Sequence, residues 1–206
     1  VLPIDVQPEL ITRALAAGKH VVSEKPIAHN VALGRELIGA WQRSDRVWMV
    51  AENWRYESAF RQAAALVKDH AIGAPVTASW VLHTPVGPAN KYYHTPWRRT
   101  GQIPGGFLLD GGVHHMAALR SILGEVATVR ADVRQVSPDL PPADTLSATL
   151  QFADGTTGCY LASYAVGAFW DAPLQIVGAA GSMRVDRGWI ETARSGEAPV
   201  RRVVRA

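Results

Sequence analysis

Cysteine is almost missing from this 206-residue sequence: Cys159 stands alone, with no CxxC partner. An intramolecular disulfide and a thiolate metal site are therefore excluded, and a reducing compartment, by default the cytoplasm, is the expected setting. Long apolar runs are missing too. No stretch approaches about eighteen apolar residues, so no membrane span is expected, and residues 1–5 lack the order of a signal peptide. Excess charge is small and local. The formal net charge is +3, and segment 194–206, with Arg194, Arg201, Arg202 and Arg205 against Glu197, accounts for all of it. A frayed basic tail is not a basic stripe across a folded face, so nucleic acid is not an expected partner. GxGxxG, GxSxG, HExxH and Walker patterns are all absent. His20, His29, His70, His83 and His94 are scattered singly, and adjacent His114 and His115 point about 100° apart on a helix, so no metal is expected. The chain opens on Val1 rather than Met, which suggests a segment of something longer.

What is present is a globular composition, 48% hydrophobic and 19% charged. Residues 9–17 form a helix with Leu10, Ala14 and Ala17 on one face and Gly18 just past its end. His20–Ser23 is a buried strand, Asn30 caps a helix bearing Leu33, Leu37 and Trp41, Val47–Ala51 is a second strand, and residues 58–69 form a third helix. That alternation predicts a parallel, doubly wound sheet, of which residues 1–72 are the last part. From residue 73 the pattern changes. Pro75–His83 is a long strand, and Thr84–Gly106 is an aromatic loop of a length that is usually functional. Val113–Leu123 is a helix ended by Gly124. Strands follow at 126–135, 145–152, 157–164, 173–177 and 182–185, with an Asp154-Gly155 hairpin signal. The fold class is α/β (α+β): a remnant of a Rossmann-type sheet, then a mostly antiparallel open-sheet unit over 73–206.

The densest chemistry lies in Gly105-Gly106-Phe107-Leu108-Leu109-Asp110-Gly111-Gly112-Val113-His114. With Asp110 at a helix start, His114 follows at i+4 on the same face, which makes either a general acid/base pair or a helix cap beside a packed histidine. Glu24-Lys25-Pro26 follows the first strand, where loops line the ligand crevice of a doubly wound sheet; Lys25 is there as a donor to substrate oxygen or as a plain turn residue. Asn53 and Arg55 follow the second strand in the same way. Tyr92, Tyr93, Trp97, Arg98 and Arg99 suit either a sugar-like ligand or an interface.

Gly18-Lys19-His20-Val21-Val22-Ser23-Glu24-Lys25-Pro26 resembles the AGKHVxxEKP signature of the Gfo/Idh/MocA oxidoreductases, and residues 105–114 resemble that family's GGGxLxDxGxH segment. The resemblance implies an NAD- or NADP-binding Rossmann domain followed by a substrate domain whose open sheet often builds a homo-oligomer. It implies hydride transfer between the nicotinamide and a hydroxyl or carbonyl of a sugar, a cyclitol or a similar small molecule. Lys25, Asp110 and His114 would be catalytic, Glu24, Lys25, Pro26 and Asn53 would border the cofactor, and Arg55, Tyr93, Trp97 and Arg98 would meet substrate. Ala117 departs from the pattern, standing where many members carry Asp. The glycine fingerprint that binds the cofactor's phosphates is missing from this chain. Two other readings stay open: a non-catalytic binding or oligomerisation fragment, and an NAD-assisted glycoside hydrolase.

Overall fold

The computed structural model describes residues 2–168 and 172–204; Val1 and the tail residue Arg205 lie outside the described residues. Strands β1 (Val21–Ser23) and β2 (Trp48–Val50) pair in parallel, with Val21 opposite Trp48 and Ser23 opposite Val50. Helix α1 (Gln7–Ala16) precedes β1, and α2 (Val31–Gln42) joins β1 to β2. Asn30 caps α2 as expected, its side-chain oxygen accepting from the Leu33 amide at 2.9 Å. The buried face of α1 differs from the expected one. Ile11 and Leu15 enter the core with Ala28 and Leu37, while Leu10 is 39% exposed. The larger pair at i and i+4 removes more apolar surface from water than an alanine stripe can.

A short 3-10 turn (Asn53–Tyr56) leads into α3 (Ser58–Lys68), followed by β3 (Pro75–His83), α4 (Pro96–Arg99) and α5 (Gly106–Leu123). The remaining strands are β4 (Val126–Arg134), β5 (Thr145–Phe152), β6 (Thr157–Ser163), β7 (Leu174–Gly178), β8 (Gly181–Asp186), β9 (Trp189–Arg194) and β10 (Val200–Val203). They form one eight-stranded sheet with β3 in order β10-β9-β8-β7-β3-β6-β5-β4. The β3–β6 pair is parallel and every other pair antiparallel. Helices α3 and α5 cover one face, burying Phe60, Ala63, Leu119 and Ile122 against Trp80, Phe152, Ile176 and Met183. So α3, expected with residues 1–72, puts its apolar face into the core of the large sheet.

Two further differences matter. Helix α5 begins at Gly106 rather than Val113, so Asp110 lies inside it and is not its cap. The glycine pair at its entry is needed for backbone geometry: Gly105 and Gly106 have φ of +85° and +43°, and a Cβ on Gly106 would stand 2.8 Å from the Pro141 carbonyl oxygen. Second, the basic segment is not frayed, because β9 and β10 extend the sheet. Arg201 donates from Nε to Glu191 Oε2 at 2.9 Å, and Val204 is buried.

Candidate active site

The carboxyl ends of β1 and β2 and one face of α5 meet at an open cleft of about 1230 Å³. Glu24 and Lys25 reach it from β1, Asn53 and Trp54 from the turn after β2, and Asp110, Gly111, His114 and His115 from α5. Tyr92 enters from the loop before α4, Trp97 and Arg98 from α4 itself, and Arg187 from the β8–β9 turn. Helix α5 approaches the sheet closely because Gly111 has no side chain: a Cβ there would lie 1.8 Å from the Tyr164 hydroxyl oxygen.

At the centre of the cleft, Asp110 is held by two cations. Lys25 Nζ donates to Asp110 Oδ1 at 2.7 Å and to the Asp110 main-chain oxygen at 3.0 Å, while Arg98 Nε donates to Oδ2 at 2.8 Å. Burial raises the Asp110 pKa, but the hydrogen bonds and charges of Arg98 and Lys25 outweigh it, and the carboxyl ends below its ordinary value. The Arg98 guanidinium also lies over the Trp97 and Tyr92 rings, 4.3 Å and 5.0 Å from their centroids.

His114 does not pair with Asp110. Its Nδ1 lies 2.7 Å from Glu52 Oε1, which also accepts from the Trp54 amide at 3.0 Å. The Trp54 ring stacks on the His114 ring with centroids 5.4 Å apart and planes 19° apart. Burial raises the Glu52 pKa; the hydrogen bonds from His114 and Trp54 and the charges of His114 and Lys25 bring it below the usual value. His115 turns inward, its Nδ1 2.6 Å from the buried Tyr160 hydroxyl, and burial, helped by His114, lowers its pKa to about 4.

Lys25, Asp110 and His114, expected to converge, line one cleft, together with Glu24, Asn53, Trp97 and Arg98. Pro26 is buried behind it. Two expected substrate contacts lie elsewhere. Tyr93 is 7% exposed and packs with Phe107, Leu140 and Tyr164, its ring covered by the Arg99 guanidinium, and Arg55 is an exposed residue that does not line the cleft. A stretch of neighbouring aromatics splits between cleft and core as the backbone turns, which composition does not reveal. Glu52 was not foreseen. It sits at the carboxyl end of β2 beside Asn53, so the strand-end argument that selected Asn53 applies equally to it.

A parallel βα layer thus sets a strand-end lysine against a helical Asp-x-x-x-His beside a large, mostly antiparallel sheet. Residues 1–52 match the oxidoreductase family NAD-binding Rossmann fold and residues 60–184 the GFO/IDH/MocA C-terminal domain; the chain belongs to the GFO/IDH/MocA family. It is 38% identical over 168 residues to dehydrogenase FPY6 of Fusarium mangiferae, an alignment covering 78% of this chain and 48% of that protein. It is 26% identical over 183 residues to myo-inositol 2-dehydrogenase of Thermotoga maritima, covering 86% of this chain and 52% of that enzyme. The crystal structure of an oxidoreductase from Thermotoga maritima superposes with a TM-score of 0.88 at 37% identity, covering 94% of this chain and 60% of the other. The chain thus spans about half the length of the curated relatives it matches.

Proposed function

We propose that this chain carries the substrate-facing part of an NAD(P)-dependent oxidoreductase site that moves a hydride between a nicotinamide and a hydroxyl or carbonyl carbon of a sugar, a cyclitol or a similar small molecule. The observation that supports this best is the meeting of Lys25, Asp110 and His114 in one cleft. NAD or NADP, when bound, supplies the hydride-accepting carbon. His114 takes the proton of the substrate hydroxyl. Lys25 has three N–H donors, two of them engaged by Asp110, and the third is free to polarise the same oxygen. Asp110 holds both Lys25 and Arg98 in position, and the remaining Arg98 donors suit substrate hydroxyls.

The donor set suits the nicotinamide end of the cofactor, since Glu24, Lys25 and Asn53 are polar groups at the carboxyl ends of two parallel strands. Among the described residues up to 72, Gly18 is the only glycine with positive φ, and it follows α1 rather than opening a helix, so no phosphate-binding turn is among them. Residues 1–72 without helix α3 then serve the cofactor side, and residues 73–206 together with α3 the substrate side. The face of the large sheet opposite α3 and α5, over which no element lies among the described residues, would build a homo-oligomer, and the exposed lone thiol of Cys159 suits the reducing cytoplasm.

Lys25→Ala and His114→Ala test the reading. In the protein carrying this chain, each is expected to lower kcat for nicotinamide reduction on a sugar and cyclitol panel by about 10²-fold or more, with unchanged circular dichroism. Turnover close to wild type in both variants would remove the catalytic assignment and leave a binding or oligomerisation role.

A further inference from the structure

We propose that Glu52 is a positioning residue: its carboxylate holds the His114 imidazole proton on Nδ1, so that Nε2 remains the nitrogen that accepts a proton. The inference rests on the reading above for His114's part in the reaction, and on geometry for the rest.

Neutral imidazole carries one proton, and the nitrogen that bears it is set by what the other atoms around the ring can accept or donate. Glu52 Oε1, 2.7 Å from Nδ1, already accepts from the Trp54 amide at 3.0 Å. An ionised carboxylate is an acceptor only, so the bond to it requires a proton on Nδ1. The ring has little freedom to escape this bond. The Trp54 indole lies flat against one face, and the Glu52 and His114 side chains are 9% and 17% exposed. Trp54 therefore serves twice, anchoring the carboxylate through its amide and the imidazole through its ring.

The alternative carboxylate is turned to other partners. Asp110, four residues before His114 on the same helix, has Oδ1 bonded to Lys25 and Oδ2 to Arg98. The orienting carboxylate comes instead from the end of β2, 62 residues away in the chain. Burying a carboxylate costs stability unless it is well paired. Glu52 Oε2 is buried with no partner among the described residues, so the bonding of this side chain converges on the single oxygen that faces His114. A packing role would be served better by an apolar side chain of similar size.

The test reads the tautomer directly. Long-range ¹H–¹⁵N correlation spectra of the ¹⁵N-histidine-labelled chain, with His114 assigned by its loss in His114→Gln, are expected to show a protonated Nδ1 and an unprotonated Nε2 in the neutral ring. Glu52→Gln, whose amide oxygen can stay on the Trp54 amide, should keep that tautomer; Glu52→Ala should shift the ring toward an Nε2 proton. In a turnover assay Glu52→Ala should lower kcat on the order of 10²-fold with little change in KM, by analogy with loss of the orienting carboxylate in a catalytic triad. A wild-type ring protonated on Nε2 overturns the inference by itself, whether or not the variants fold, and so does a Glu52→Ala ring unchanged from wild type. An Nδ1 proton in a protein that transfers no hydride supports the Glu52–His114 assignment and counts against the oxidoreductase reading alone.

Discussion

Asp110 is shared by Lys25 and Arg98, and the three side chains are between 13% and 19% exposed. Removing the shared carboxylate strands two cations in a partly dry site, which is why breaking such a group costs about 3–5 kcal/mol where replacing all of it often costs little. Asp110→Asn is therefore expected to lower unfolding stability in urea by about 3 kcal/mol, and Lys25→Met added to it should restore part of the loss; a cost under about 1 kcal/mol would mean that solvent already screens the group. The depressed Asp110 carboxyl contributes stability above its unfolded value of 3.8, lost as pH falls through its lower folded value. His115 acts at higher pH. Its folded pKa of about 4 lies below the unfolded 6.5, so as pH falls the unfolded chain takes the proton first and stability drains between these two values, by up to about 3 kcal/mol. Glu52 and Asp110, both lowered, titrate beneath most of that window. Tm should fall steadily from pH 7 to pH 4.5, and His115→Gln, which retains a hydrogen-bonding group for Tyr160, should flatten the slope; a wild-type Tm flat over this range contradicts the buried neutral imidazole.

Helix α5 tolerates glycine at 111 because the Tyr164 hydroxyl occupies the space a side chain would need. Gly111→Ala forces that contact apart and should cost about 1–3 kcal/mol, despite the better helix propensity of alanine. Tyr164→Phe removes the oxygen, leaving the ring carbon at 3.0 Å as the nearest atom, so the double variant should recover most of the loss in thermal unfolding. Additive costs would show that α5 is not seated on Tyr164. The same contact explains where sequence reading stopped. Two internal glycines, Gly111 and Gly112, argue against a helix, and only Tyr164, just past β6, explains why Gly111 is required, so α5 was expected to start at Val113. Strands long enough to alternate were readable, as at β3 and β5, whereas β9 is short and β10 was hidden in the basic segment, where Arg201 finds its acceptor across the sheet in Glu191. Lys25, Asp110 and His114 were readable as site residues from motif and position. Their partners were not, because Arg98 and Glu52 are joined to them by folding rather than by spacing.

Across the whole molecule, the face of the large sheet opposite α3 and α5 has no element over it among the described residues. One outward row runs in register through Gln175, Ser79, Cys159, Thr149 and Arg130. Charge is distributed unevenly along it. The outward residues Thr77 and Ser79 on β3, Thr157 and Cys159 on β6 and Ser147 and Thr149 on β5 are exposed and uncharged, while Arg130 and Asp132 lie on the edge strand β4 and Arg184, Glu191 and Arg201 on β8 to β10 toward the other edge. A centre depleted of charge inside a charged rim is one trait of protein interfaces, and it is the ground for placing the proposed homo-oligomer on this face. The proposed homo-oligomer would use this face, the same patch from each copy about a two-fold axis. Light scattering of the wild-type chain is then expected to give a multiple of 22.3 kDa. Thr149→Arg places a charge in the uncharged stretch of the row, pointing away from the core, so it should leave stability within about 0.5 kcal/mol while shifting the protein to the single-chain mass. A wild-type mass of one chain, or an oligomer that survives Thr149→Arg unchanged, would assign this face to solvent or to a different partner.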